Sequence, residues 1–136
     1  MEWKDEYSMG IEEIDTQHRE LISLFNRIVT NANAGARWDA VHYQVMDLRR
    51  FAEFHFEFEE ALMRMYGYKD LDEHAQTHRA FFARLNEIEY LANKDYVQKE
   101  MLRFLSDWLM KHILVADKSY ALHILLGASI VRPTAA

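Results

Sequence analysis

Apolar residues recur at intervals of three and four along most of this chain, and four stretches sustain that period long enough to predict helices. An extended arm of roughly a dozen residues comes first, offering Trp3, Tyr7, Met9 and Ile11 as packing anchors. Leu21, Ile22, Leu24, Phe25, Ile28 and Val29 then mark the first helix, with Asp15 or Thr16 suited to its N-cap and "NANAG" to its end. Asp39 reads as the N-cap of the second, which runs through Val41, Val45, Leu48, Phe51, His55, Phe58, Leu62, Met63 and Met65 and stops at Gly67 in "YGY". The third follows "KDLDEH", whose acids suit a first turn, and continues through "HRAFFARLNEIEYLA" to Asn93. "NKD" makes the next turn. Asp95 suits the cap of a fourth helix carrying Val97, Met101, Leu102, Phe104, Leu105, Trp108, Leu109, His112 and Ile113, after which the pattern loosens.

The single proline is Pro133, so nothing interrupts these helices. Short connections between long helices favour antiparallel neighbours. The predicted fold is therefore all-α: an up-down-up-down four-helix bundle (about 15–116) with an N-terminal arm (about 1–14) and a short C-terminal helical extension (117–136). At 136 residues, half of them hydrophobic and 13% aromatic, the chain suits one domain with one core.

Composition narrows the chemistry. A net charge of −6 with acids and bases interspersed offers no basic stripe, which argues against nucleic acid as a partner. The absence of cysteine removes disulfides, thiolate metal sites and cysteine nucleophiles together, so any metal must take nitrogen and oxygen ligands. "MEWKDEYSMG" has no apolar signal region. The longest apolar run, "YALHILLGASIV" (120–131), is shorter than a bilayer-spanning helix and contains His123. No transmembrane segment is expected, and the cytoplasm is the default location.

Within "HFEFEEALM" (55–63), a histidine and three acids stand among phenylalanines where an apolar core should form. His55 and Glu59 are four apart, about 40° around a helix, and so offer a nitrogen and an oxygen to one point. His74 and His78 share that spacing. His18 lies one position from the apolar seam of the first helix. His112 and Asp117 are five apart, about 140° on a regular helix. Either they are unrelated, with Asp117 an ordinary surface acid, or the helix changes course near "HILVAD". Taken singly, each of these residues also fits a solvated face or a satisfied core position.

The bundle joins them, because four helices have one common interior. Unpaired burial of so many polar groups would cost several kcal/mol each. A metal centre removes that cost by binding carboxylates and neutral imidazoles directly. Five nitrogens and two carboxylates exceed one ion's coordination sphere but suit two octahedral ions bridged by both carboxylates.

"IDTQH" (14–18), "HFEFEE" (55–60), "HAQTH" (74–78) and "HILVAD" (112–117) resemble the hemerythrin family, in its single-domain bacterial form, the bacteriohemerythrins. The resemblance runs from about residue 3 to residue 120. It implies two non-haem iron ions, with His74, His78 and His112 on one, His18 and His55 on the other, and Glu59, Asp117 and an oxo or hydroxo group bridging them. One coordination position then stays open for dioxygen, on the ion with two histidines. Leu21, Phe56, Trp108, Leu109 and Ile113 are expected to wall that position, or simply to pack the core.

The implied function is reversible dioxygen binding for transport, storage or delivery, with no enzymatic step and no catalytic residue. Histidine dominance separates this site from di-iron oxygenases, which use more carboxylates. The chain is expected to act as a monomer, with an oxygen-consuming protein as recipient. An oxygen or redox sensor is the alternative, and a di-iron enzyme acting on peroxide or nitric oxide the third reading. His42 and His123 are expected outside the site. Glu57 and Glu60 are expected to face solvent or a loop, and Tyr66, Tyr68 and Tyr120 to pack around the bundle ends. The tail after "DKSY" is expected to close hydrophobically over the bundle.

Overall fold

Among the described residues, 1–91 and 94–131, the computed structural model contains five α-helices and no strand. The side chains at 95, 114, 115 and 128–131 are outside that description. A 3-10 turn at Asp5–Tyr7 precedes α1 (Glu12–Asn33), α2 (Trp38–Met65), α3 (Leu71–Glu89) and α4 (Lys94–Lys111). A π-helical turn, His112–Ala116, then joins α4 to α5 (Asp117–Val131).

The four long helices form the expected bundle. Ile14 and Ile28 of α1, Val45 of α2, Leu85 and Ile88 of α3, and Val97, Met101 and Leu105 of α4 are fully buried in one core. Sequential helices pack against each other, and α4 returns to α1 to close the ring. The acid-rich start of α1, the end of α2, the start of α3 and the end of α4 meet at the same end of the bundle, which is the alternation of an up-down-up-down path.

Several helix starts differ from expectation. Helix α1 begins at Glu12, with Ile11 in extended geometry before it and no side-chain cap. Asp15 lies inside that helix and serves the arm, accepting hydrogen bonds from Ser8 Oγ (2.5 Å) and the Met9 amide (2.7 Å). Those bonds seat Tyr7 and Met9 in the core, while Trp3 and Ile11 pack on its edge. Asp39 is likewise not a cap: Arg37 is the extended residue before α2, and Asp39 sits in the first turn, where a negative charge faces the positive helix end. Gly67 does end the segment, at φ +66°, and lets the Tyr68 amide reach back to the Met63 carbonyl at 2.9 Å. Helix α3 stops at Glu89, short of Asn93. Asn93 lies outside the described residues, and the other two residues of the expected "NKD" turn are helical. Asp95 falls inside α4, which starts at Lys94.

The extension is only half as expected. Tyr120, Ala121 and Ile124 are buried, Tyr120 and Ile124 against Met63, but Leu122, Leu125 and Leu126 are exposed on the other face of α5. No helix among the described residues is long and apolar enough to cross a membrane.

Candidate metal centre

Nearly all the buried polar side chains lie at that one end of the bundle. Asp15 holds the arm; Gln17, His18, His55, Glu59, His74, His78, His112 and Asp117 are buried together, between 0% and 7% exposed. The ligand-capable atoms of His18, His55, Glu59, His112 and Asp117 lie within 4.8 Å of one another, and so do those of Glu59, His74, His78 and His112. All seven residues singled out in the sequence therefore converge, from α1, α2 and α3, from the π turn that follows α4, and from the start of α5.

The π turn explains how Asp117 arrives there. Its amide donates to the His112 carbonyl, an i to i+5 hydrogen bond, so the chain takes one extra residue to complete the turn. One residue is worth about 100° of helical rotation, enough to bring Asp117 back to the face that carries His112. The change of course left open by the sequence is this turn.

Glu59 is the hub. Its Oε1 faces His55 Nε2 (2.5 Å), His112 Nε2 (3.3 Å) and His18 Nε2 (3.5 Å), and its Oε2 faces His78 Nε2 (3.1 Å) and His74 Nε2 (3.4 Å). Asp117 repeats the division, with Oδ2 near His18 (2.7 Å) and His112 (2.9 Å) and Oδ1 near His74 (3.2 Å). Each carboxylate thus presents one oxygen to the His18 side and the other to the His74 side. His112 belongs to both groups, although its Nε2 faces the carboxylate oxygens on the His18 side.

Two outer contacts set the proton positions. His55 Nδ1 donates to the Gln17 carboxamide oxygen at 2.7 Å, and His78 Nδ1 donates to Glu60 Oε2 at 3.0 Å. With its proton on Nδ1, a neutral imidazole carries its lone pair on Nε2. Neither Nε2 has a hydrogen-bond partner, although both face Glu59. Burial holds His55 in its neutral form, with Glu59 opposing only in part. Burial would also raise Glu59, but the surrounding histidines, His112 and His18 among them, hold its carboxyl well below the usual range. A lone pair aimed at an ionised oxygen with no proton between is repulsive, and a shared cation removes the repulsion. The residues present fit a metal ion.

Other histidines of the cluster are shifted the opposite way from His55. Burial would depress His74 and His112, yet Asp117 and Glu59 outweigh it and push them up to about 9 and about 10. Asp117 is held low despite burial and the nearby Glu59 charge, through His112 and His18. Near neutral pH, protons on these imidazoles act as the counter-charge that a metal would otherwise supply, and they must leave as it binds.

Aromatic rings seal the cluster. Phe56 stacks on His78 (centroids 3.9 Å apart, 5° between planes) and Trp108 on His112 (4.3 Å, 15°). Leu21, Phe56, Leu109 and Ile113 are at most 2% exposed, and Trp108 packs beside them half-buried. His42 and His123 lie elsewhere, His42 beside Glu89 and His123 on the Tyr66 carbonyl.

A family model for the hemerythrin HHE cation binding domain matches residues 9–121. The chain belongs to the hemerythrin family. The bacteriohemerythrin of Clostridium acetobutylicum is 36% identical to it over 126 aligned positions, covering 87% of this chain and 96% of that protein. That of Stenotrophomonas maltophilia is 33% identical over 121 positions (88% and 78%), and a hemerythrin-like protein of Naegleria gruberi is 24% identical over 118 (87% and 88%). Membership in the hemerythrin family, together with this His, Glu and Asp cluster, makes the site a candidate for non-haem iron.

Gln17 and Glu60 were not among the candidate residues, and Glu60 corrects the expectation of a solvent or loop contact. Both had a signal in the helical period: Gln17 shares the seam of Ile14, His18, Leu21 and Ile22, and Glu60 is four residues after Phe56. Such outer partners are worth roughly 10–100-fold in metal affinity. Gln17→Leu and Glu60→Leu are each expected to weaken iron binding within that range, read by competition with a chelator. Unchanged affinity in both would show that the Nδ1 contacts do not matter to binding.

Proposed function

We propose that this hemerythrin binds two iron ions through His18, His55, Glu59, His74, His78, His112 and Asp117, and takes up dioxygen reversibly for transport, storage or delivery. The observation that carries the reading is the division of both Glu59 and Asp117 between two histidine groups, since a carboxylate with one oxygen toward each group is placed to bridge two ions. In that reading His18 and His55 hold one ion and His74, His78 and His112 the other, with an oxo or hydroxo bridge completing the pair. Iron supplies the electrons that dioxygen takes up and gives back.

The chain's own residues account for reversibility. Five imidazoles and only two carboxylates give a donor set of low negative charge, less suited to high iron oxidation states than a carboxylate-rich one. Phe56, Trp108, Leu109 and Ile113 keep water and its protons from the cluster, and a dry site resists release of reduced oxygen. No catalytic residue is assigned. We read arm, bundle and α5 as one domain, acting as a cytoplasmic monomer that supplies an oxygen-consuming protein.

Anaerobic reconstitution with ferrous iron tests the proposal. Two iron ions per chain and a visible spectrum that appears and disappears over repeated oxygen cycles are expected. One ion or fewer per chain would end the dinuclear reading. Steady turnover with release of a product from peroxide or nitric oxide would replace the carrier by an enzyme.

A further inference from the structure

Helix α1 carries a polar stripe that the metal centre does not use. Arg19, Ser23, Asn26, Arg27 and Thr30 recur at intervals of three and four, so they share one side of the helix. Each brings a hydrogen-bond donor, two are cations and none is an acid. The N-terminal arm crosses this stripe. Met1 is tied to Asn26 by two hydrogen bonds, from its nitrogen to Oδ1 (2.9 Å) and from Nδ2 to its carbonyl oxygen (2.6 Å). Trp3 lies under the Arg19 guanidinium, 4.6 Å from carbon to ring centroid. Between the arm, the stripe and Gln44 of α2 is a cleft of about 650 Å³, a size that suits a small molecule.

Charge and hydrogen bonding both point to what the cleft would hold. Among the described residues, Arg19 and Arg27 have no ion-pair partner, and Glu2 is the one acid on the cleft wall. On a chain of net charge −6 this is a local reversal of sign, which draws anions to it. The two guanidinium groups stand eight residues apart, about 12 Å along the helix, so an anion gripped by one leaves room for a body reaching toward the other. Gln44 adds a separate requirement. Its Oε1 is buried without a hydrogen-bond partner, and a ligand bearing a hydroxyl or amine would satisfy it. Trp3 and Ile22 complete the wall with apolar surface.

We infer that this cleft binds a small organic phosphate, with the phosphate on Arg27, a hydroxyl or amine on Gln44 Oε1, and an apolar or ring portion against Trp3 and Ile22. A phosphate suits the donors better than a carboxylate does, because it offers one more oxygen and about twice the charge. Arginine's planar fork matches it with two parallel hydrogen bonds, and Thr30 and Asn31 line the cleft one turn further on. None of the proposed metal ligands lines the cleft, so the inference stands apart from the iron reading.

Calorimetry on the full chain as purified, at low ionic strength, tests this with AMP, which brings a phosphate, hydroxyls and a flat ring together. One AMP per chain is expected to bind, with inorganic phosphate and adenosine each binding at least roughly tenfold more weakly. Arg27→Ala is expected to weaken AMP by roughly tenfold or more, the scale of one hydrogen bond to a charged group. Arg27 is exposed, so that variant keeps the fold. Gln44→Leu is expected to weaken AMP as well, while the ligand-free variant melts at the parent temperature or higher, because it loses an unpaired buried oxygen. Hydrogen exchange on the unaltered chain locates the site without a variant, through slower exchange in the arm and the middle of α1 when AMP is present. No binding at millimolar AMP, or equal binding to parent and Arg27→Ala, would overturn the inference. Protection confined to other parts of the chain would do the same. Inorganic phosphate binding as tightly as AMP would reduce the cleft to a plain oxyanion site and reject the organic ligand.

Discussion

Deleting Ala116 is expected to abolish uptake of the second iron ion while leaving the four-helix bundle folded. The π turn spans His112–Ala116, and its defining bond runs from the Asp117 amide to the His112 carbonyl. With one residue fewer, the segment can continue as an ordinary α-helix and recover regular i to i+4 bonding. Asp117 then turns by about 100° and its carboxylate leaves the site. Tyr120 turns with it. The core contributed by α1 to α4 ends before the deletion, so far-ultraviolet circular dichroism is expected to change little, with some loss from α5. Iron per chain, measured after anaerobic loading, is expected to fall from two to one or none. Asp117→Ala isolates the carboxylate from the rotation and is expected to show the same loss. A deletion variant that still binds two ions would mean that the π turn does not position Asp117.

That turn also marks where the sequence ceases to be legible. The helices and their alternation follow from a periodic apolar pattern, and His18, His55, Glu59, His74, His78 and His112 could be placed at one end of a bundle because they share that period. Asp117 could not, since a separation of five residues gives the wrong angle on any regular helix. Its assignment came from resemblance, and the structure supplies the physical cause. Helix starts failed for a different reason. Asp15 and Asp39 are good capping residues by type, but Asp15 is recruited by Ser8 and Met9 of the arm, a tertiary contact that local propensity does not contain. Gln17 and Glu60 were overlooked because their roles depend on which histidine nitrogen lies opposite, a relation between helices. The exposed leucines of α5 show the limit of composition, since an apolar run reads as buried on both faces and here only one face is covered.

Glu59→Leu is expected to have the largest effect of any single substitution, for two separable reasons. Among the described residues, only its two oxygens face all five histidines. Without them no bridge of this kind forms, and uptake is expected to fall to at most one weakly held ion. The same variant is expected to destabilise the metal-free chain, because buried imidazolium groups lose a counter-ion, a change that costs about 3–5 kcal/mol for a fully buried pair. The pH dependence gives the sign. In the parent chain His74 and His112 are raised from 6.5 to about 9 and about 10, so the stability they contribute is fully present below pH 6.5 and is lost as pH rises through those two values. Glu59→Leu removes part of what raises them. The stability gap between parent and variant is therefore expected to be widest near pH 6 and to close toward pH 10, as denaturant unfolding of the metal-free proteins would show. A gap that is the same at both ends would assign the loss to packing at Glu59 and not to its charge.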